Sequence, residues 1–350
     1  MSSSAAAGTS RRPRKEEAMN WKVALVVIGC AATLAAQTPP VTILEVVTEN
    51  VVIYVNDVAD PSKMATSAGM VPLPSGLPLT FKLSLGIRDI VSVNGKPAKG
   101  SVITRHFFGL FSAGYTATRS IADFSAGGAT DTYIVVQQSD GTDVGIITAT
   151  GFCGMAIPPG APPKATQSNW SITGGTGAFL GMRGQVGVFT MASARYVSML
   201  EDPANRRVHG GGKQTFMLHL IPMTWPEVAL ISTGPAVFHA SDFSPVTADK
   251  PARAGEQLMM SVSGLGPVKP NLDPGKTFPP AAEGVRAVNS PVDVTMNGKA
   301  AQVINAIGWP GTTNVYRVDF QVPEGTSAGM ATLGLSVAWI TGPEVRIPVR

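Results

Sequence analysis

Cysteine is almost missing from this chain: Cys30 and Cys153 are the only two in 350 residues. Cys30 lies inside a short apolar leader, so once that leader is removed no intrachain disulfide can form, and stability must come from packing and hydrogen bonding. Histidine is nearly as scarce. His106, His209, His219 and His239 stand apart, none with a Cys or His partner at metal-ligand spacing, so no metal site is expected. There is no Gly-x-Ser-x-Gly, no phosphate-binding P-loop and no His-Glu-x-x-His. Charge is sparse too, at 14% of residues, with a net +4 that is unevenly placed. Residues 1–22 hold five basic and two acidic side chains, which leaves 22 against 21 in the rest. A folded part so balanced carries no basic stripe, and nucleic acid is not an expected partner. No apolar run reaches bilayer length, so no transmembrane span is expected in the mature chain.

What is abundant is glycine (38) and proline (28), alongside 44% hydrophobic residues without long helical periodicity. Many short strands joined by Gly/Pro turns fit that profile, and the length allows two domains with separate cores. At the start, Met19-Asn20-Trp21-Lys22 reads as a positive n-region, Val23 to Leu34 as an apolar core of signal-peptide length, and Ala35-Ala36 as a cleavage site. Residues 1–36 are therefore expected to be a signal peptide with a polar N-terminal extension, Met19 being an alternative initiator. Export to the periplasm or the medium follows. Val27-Ile28-Gly29-Cys30 also resembles a bacterial lipobox, in which reading Cys30 is lipidated and begins the mature chain; cleavage near Ala36 is the reading adopted.

From residue 41 to 222 nine strand candidates follow one another, close to the eight of a small barrel. They are 41–55, 80–93, 101–110, 115–121, 131–138, 144–152, 169–173, 183–192 and 213–221, the first either one long strand or a bent pair. Asn94-Gly95 and Asp140-Gly141 supply hairpin turns. Eight antiparallel strands suffice for a barrel whose interior holds one small ligand. Two long loops, 154–167 and 198–212, interrupt the series. Within it, Ser168-Asn169-Trp170-Ser171-Ile172-Thr173-Gly174-Gly175-Thr176-Gly177-Ala178-Phe179 leads into Met182-Arg183-Gly184. This segment resembles the Gly-Gly-Thr-Gly-x-Phe…Ala-Arg-Gly signature of the dirigent and allene-oxide-cyclase-like barrel superfamily, with Met182 in the alanine position. The resemblance implies an eight-stranded antiparallel β-barrel around an apolar cavity. It also implies structural roles for Gly174, Gly175, Thr176, Gly177, Phe179 and Gly184, and assembly as a homo-oligomer, by analogy a trimer.

Residues 223–235 read as a linker, opening on Pro222-Met223-Thr224-Trp225-Pro226. From 236 to 350, short turn-bounded strands, including Val292–Met296, Ala301–Ala306 and Val315–Val322, suggest an immunoglobulin-like β-sandwich. Val315-Tyr316-Arg317-Val318-Asp319-Phe320-Gln321-Val322-Pro323-Glu324-Gly325 resembles the C-terminal domain of uncharacterised bacterial secreted proteins. That likeness implies an exported module and no chemistry.

In the resembled barrel superfamily the cavity confines an apolar, reactive intermediate and fixes its conformation without a cofactor, acting by positioning and exclusion of water. A few polar groups would hold the ligand's oxygens. The candidates are Asp89, Arg105, Tyr115, Asp123, Cys153 and Arg183. Arg183 matches the signature's arginine, which organises the barrel in the family and has been linked to the pocket in some members; both roles stay open. Three functions follow. The barrel binds a small hydrophobic molecule and directs its cyclisation, isomerisation or coupling; or it carries such a ligand without chemistry; or it is a filled core within a surface or adhesion module. The size of the side chains lining the interior, sought in 107–110, 135–137 and 146–148, separates them.

Overall fold

The computed structural model describes residues 41–55, 80–110, 127–154, 169–198, 201–273 and 275–350. The expected strand at 115–121 falls outside them. The chain is all-β: among the described residues a single four-residue helical turn, α1 (Asn205–Val208), and one 3₁₀ turn are the only helices, and no helix is long and apolar enough to cross a membrane.

Strands β1 (Thr42–Val55), β2 (Thr80–Val93), β3 (Lys96–Leu110), β4 (Gly127–Gln138), β5 (Asp143–Gly154), β6 (Asn169–Gly177), β7 (Arg183–Ala192) and β9 (Gly212–Ile221) pair in that order, each antiparallel to the next. β1 bonds to β9 on one side and β2 on the other, which closes the sheet into the expected barrel. The β2–β3 hairpin turns on Asn94-Gly95, both in the left-handed region (φ 48° and 74°), as a two-residue hairpin of right-twisted strands requires.

Between β7 and β9 the chain forms β8 (Arg195–Ser198), which pairs parallel to Val52–Val55 of β1, just beyond the part of β1 that pairs with β9, and α1 follows. A buried ion pair secures this stretch, Arg195 Nη1 donating to both Glu201 oxygens at 2.8 and 2.9 Å. Val197 packs there on Val52 and Tyr54.

The signature glycines form a corner. Gly177 (φ 64°) lies so close to β5 that a Cβ would approach the Val144 carbonyl oxygen to 2.5 Å; at Gly184 (φ 148°) a Cβ would meet the His219 carbonyl oxygen at 1.9 Å. Gly174, Gly175 and Thr176 continue β6 into that corner beside β5. The turn at 178–181 then swings Phe179, with Met182 behind it, into the core, both fully buried.

Residues 227–349 build a second, curled sheet. Its central order is Glu227–Val228, Gln257–Ser263, Tyr316–Gln321, Lys299–Gly308, Val292–Met296, Gly329–Val337 and Ile340–Thr341. Lys299–Gly308 shifts register between Val303 and Asn305 and pairs with both halves, so the sheet folds over its own core of Leu258, Met260, Val318, Phe320 and Leu333 in a sandwich-like arrangement. One hairpin of this sheet, turning at Ala338-Trp339, reaches the barrel. Ala338 and Ile340 are buried in the barrel's hydrophobic cluster, with Trp225 and Trp339 packed against it. Both turn residues have positive φ (48° and 64°), which is costly for a side chain as bulky as tryptophan and persists only where packing dictates it. Lys96–Asp293 (2.7 Å) and Gln138 donating to the Asn289 carbonyl add polar contacts between the two sheets.

Shortening the buried Ile340 should therefore weaken both sheets at once. Ile340→Ala is expected to cost about 2–5 kcal/mol, as large-to-small core changes do, and urea unfolding should show it as a lower midpoint. Ile304→Ala, at a site 47% exposed, should leave the midpoint nearly unchanged.

Candidate functional site

Alternation along the strands divides the barrel interior into two halves. Toward one end the inward residues are apolar: Leu44, Val46, Ile90, Val93, Val102, Ile134, Val136, Ile147, Ile172, Leu218 and Leu220, closed off by Phe179, Met182 and the Ala338 hairpin. Toward the other end the same strands turn polar. β2 places Ser84, Gly86 and Arg88 inward, β3 Thr104 and His106, β4 Thr130 and Thr132, β9 Gln214 and β1 Thr48. Register makes these neighbours, since Gly86 pairs with Thr104, Ser84 with His106, and Thr104 in turn with Thr132.

Arg88 is the centre of the polar half. It is 3% exposed, and among the described residues no carboxylate pairs with it. Its Nε donates to Gln214 Oε1 (2.5 Å), its Nη1 donates to Thr104 Oγ1 (2.8 Å), and its guanidinium carbon lies 5.5 Å from the centre of the Phe216 ring. Hydrogen bonds to a charged group contribute about 1.5–3 kcal/mol each and a cation–π contact up to about 2, against several kcal/mol for taking the ion out of water. Burial pulls the guanidinium down to about 10, so it stays charged at neutral pH. Gly86 makes the room: a Cβ there would stand 2.5 Å from Thr104 Oγ1 and 2.8 Å from Arg88 Nη1.

His106 continues the network, its Nε2 3.1 Å from Thr104 Oγ1 and its Nδ1 2.8 Å from Thr130 Oγ1. Both ring nitrogens thus face threonine hydroxyls, each able to donate or accept as the tautomer requires. Burial, then the nearby Arg88 charge, lowers His106 to about 4, so the imidazole is neutral at pH 7. Trp170 stands 6.4 Å from both the His106 and Phe216 rings and completes an aromatic wall. Three further buried polar atoms here, Ser84 Oγ, Thr132 Oγ1 and Trp170 Nε1, have no hydrogen-bond partner among the described residues. The site is thus a positively charged, donor-rich cluster above an apolar floor, and no Asp or Glu side chain enters the described interior to act as a carboxylate base.

The residues singled out from the sequence lie elsewhere. Asp89 is on the outer face of β2, where it accepts from Asn50 (2.9 Å), Arg206 (2.9 Å) and Arg207 (3.1 Å) and ties α1 to the wall. Burial raises its carboxyl, and the bonds from Arg207, Arg206 and Asn50 outweigh that and hold it at about 2. Arg105 is exposed on the outside and pairs with Asp131 at 2.7 Å. Arg183 is exposed as well, its Nη1 donating to the carbonyls of Thr173 (2.5 Å) and Met182 (3.0 Å), which braces the glycine corner. Cys153 lies on β5 opposite Gly128, its side chain outside the described residues, as are Tyr115 and Asp123. Of the windows expected to line the interior, Val136 and Ile147 do so, whereas Val135, Gln137, Ile146 and Thr148 are on the opposite face. His219 is exposed. Arg88, Thr104, His106 and Gln214 were not singled out as site residues, although the parity of Ile90, Val102 and Ile134 marks all but Gln214 as inward.

No family model matches the chain, and no curated protein matches it. A solved structure of a pterocarpan synthase dirigent protein is similar at 14% identity over 57% of this chain and 97% of its own, with a TM-score of 0.25.

Acid should destabilise the fold in two successive windows. The folded value of His106, about 4, lies below its ordinary 6.5, so the unfolded chain binds the proton first and stability falls as pH drops from 6.5 to 4. Asp89, about 2 against 3.8, contributes stability that is complete above 3.8 and lost toward 2. His106→Gln is expected to remove the upper window, on the order of 3 kcal/mol, and leave the lower one. Thermal melts across pH 3–7 and an NMR titration of the His106 ring check this; an inflection near 6.5 would contradict it.

Proposed function

We propose that the barrel binds a small hydrophobic molecule, seating its polar end in the Arg88 chamber, and directs its cyclisation, isomerisation or coupling by confinement, without a cofactor. The observation that carries this reading is the polar half of the interior. A barrel serving only as a filled core would be served better by Val, Ile and Leu throughout, because replacing buried ions with apolar groups is commonly neutral or stabilising. Here Arg88 is retained, together with three polar atoms that find no partner among the described residues. Neutral His106 and cationic Arg88 would stabilise negative charge developing on a ligand oxygen, and the dry walls would restrict its shape. Export, with the curled second sheet as an immunoglobulin-like module, belongs to the same proposal.

A carrier without chemistry is the second reading. It is favoured by the interior's lack of a carboxylate base among the described residues. Both readings require a ligand.

A thermal-shift screen of small phenols, aldehydes, carboxylates and terpenoid alcohols should find at least one class that raises the melting temperature by several degrees. Ala149→Trp, which fills the interior from β5 at a position now 3% exposed, should abolish that shift. If every class leaves the wild-type melt unmoved, the filled-core role takes precedence.

A further inference from the structure

Within the proposed pocket, three side chains already engage Arg88, yet they do not exhaust it. A guanidinium has five N–H bonds. Nε donates to Gln214 and one Nη1 hydrogen to Thr104, while Nη2 makes no hydrogen bond to any described residue. Both Nη2 hydrogens and the second Nη1 hydrogen therefore remain, and adjacent Nη1 and Nη2 hydrogens form the fork that matches a carboxylate.

The surroundings favour one negative charge. His106 is held neutral, no Asp or Glu side chain enters the described interior, and the Tyr196 phenol is the titratable group whose charge would favour the guanidinium, so no carboxylate among the described residues balances Arg88. Ser84 Oγ, Thr132 Oγ1 and Trp170 Nε1, all on residues at least 95% buried, add donors without partners. Depth gives orientation. Along β2 the inward positions run Ser84, Gly86, Arg88, Ile90, so the guanidinium stands directly above the apolar floor, with Ser84 and His106 on the far side from it.

We propose that the ligand of this barrel is a monocarboxylate, bound with its carboxylate paired to Arg88 at the boundary of the apolar floor and its hydrocarbon part extending past Ser84 and His106. This inference rests on the pocket reading and adds the charge and direction of the ligand. Two oxygens on one planar group suit the fork better than a single phenolate oxygen, which leaves one of its hydrogens unmet.

The test uses the full chain and matched probes: 3-phenylpropanoate and octanoate against their carboxamides and the corresponding primary alcohols, by calorimetry at pH 7. The wild type is expected to bind each carboxylate at least tenfold more tightly than its carboxamide. Arg88→Gln should erase that preference, lowering carboxylate affinity to that of the carboxamide. Thr104→Asp, which supplies Arg88 with an internal counterion, should erase it as well with the guanidinium still present, so the inference stays testable where Arg88→Gln fails to fold. Equal affinity for carboxylate and carboxamide in the wild type, or a preference that survives both variants, overturns the anion assignment and leaves the pocket standing. If neither carboxylates nor neutral probes bind, the pocket reading falls and this inference with it.

Discussion

Ring closure is the constraint from which the rest follows. β1 bonds to β2 along one edge and to β9 along the other, so no edge strand is left in the barrel and every second residue of eight strands must face a shared interior. β1 meets both neighbours by breaking register between Val47 and Thr48 and between Glu49 and Val52, where Asn50 takes a positive φ. Once closed, the wall leaves inward side chains no route to solvent except through the ends. An arginine on that face must then be solvated by the protein itself, and Gln214, Thr104 and Phe216 provide part of that solvation.

The two ends of the ring are built differently. At one, the glycine corner folds Phe179 inward and the second sheet contributes Ala338 and Ile340, giving one continuous apolar cluster. The hairpin that delivers them holds Ala338 and Trp339 at positive φ, an arrangement that burial sustains and that an isolated hairpin would avoid. The second sheet thus closes the barrel's apolar end. At the other end the polar half begins, with the apolar floor below it and hydrogen-bonding groups around it.

Much of the fold could be read from the chain because its signals are local. Asn94-Gly95 specifies a hairpin by dihedral preference, and β2 and β7 begin and end at the bounds expected of them. The glycine corner was legible for the same reason, since a backbone approach as close as that of Gly184 to the His219 carbonyl admits no side chain. The chamber was not, and the cause is parity. Asp89 and Arg105 look like pocket residues by chemistry, yet each sits one position from an inward residue, Arg88 and Thr104 or His106, and a shift of one residue moves a side chain to the other face of the wall. Long-range pairing settles the parity: Gly86 opposite Thr104 and Thr104 opposite Thr132 are contacts that no window of sequence contains. The stretch 198–212 reads as a long loop by composition, whereas its Glu201 forms a buried pair with Arg195 that needs the closed wall behind it.

The polar groups of the interior are also linked, which bears on what chemistry they could support. Arg88 donates to Thr104, Thr104 is hydrogen-bonded to His106, and His106 to Thr130, so each group orients the next. Such a chain keeps the imidazole neutral, because a second cation beside Arg88 would be opposed by both burial and repulsion. It also fixes the guanidinium against Gly86 before any ligand arrives. A ligand oxygen would then meet dipoles already in place, and little reorganisation would remain to oppose charge forming on it. That preorganisation, more than the presence of any one reactive residue, is what would let a barrel with no internal carboxylate among its described residues influence the course of a reaction.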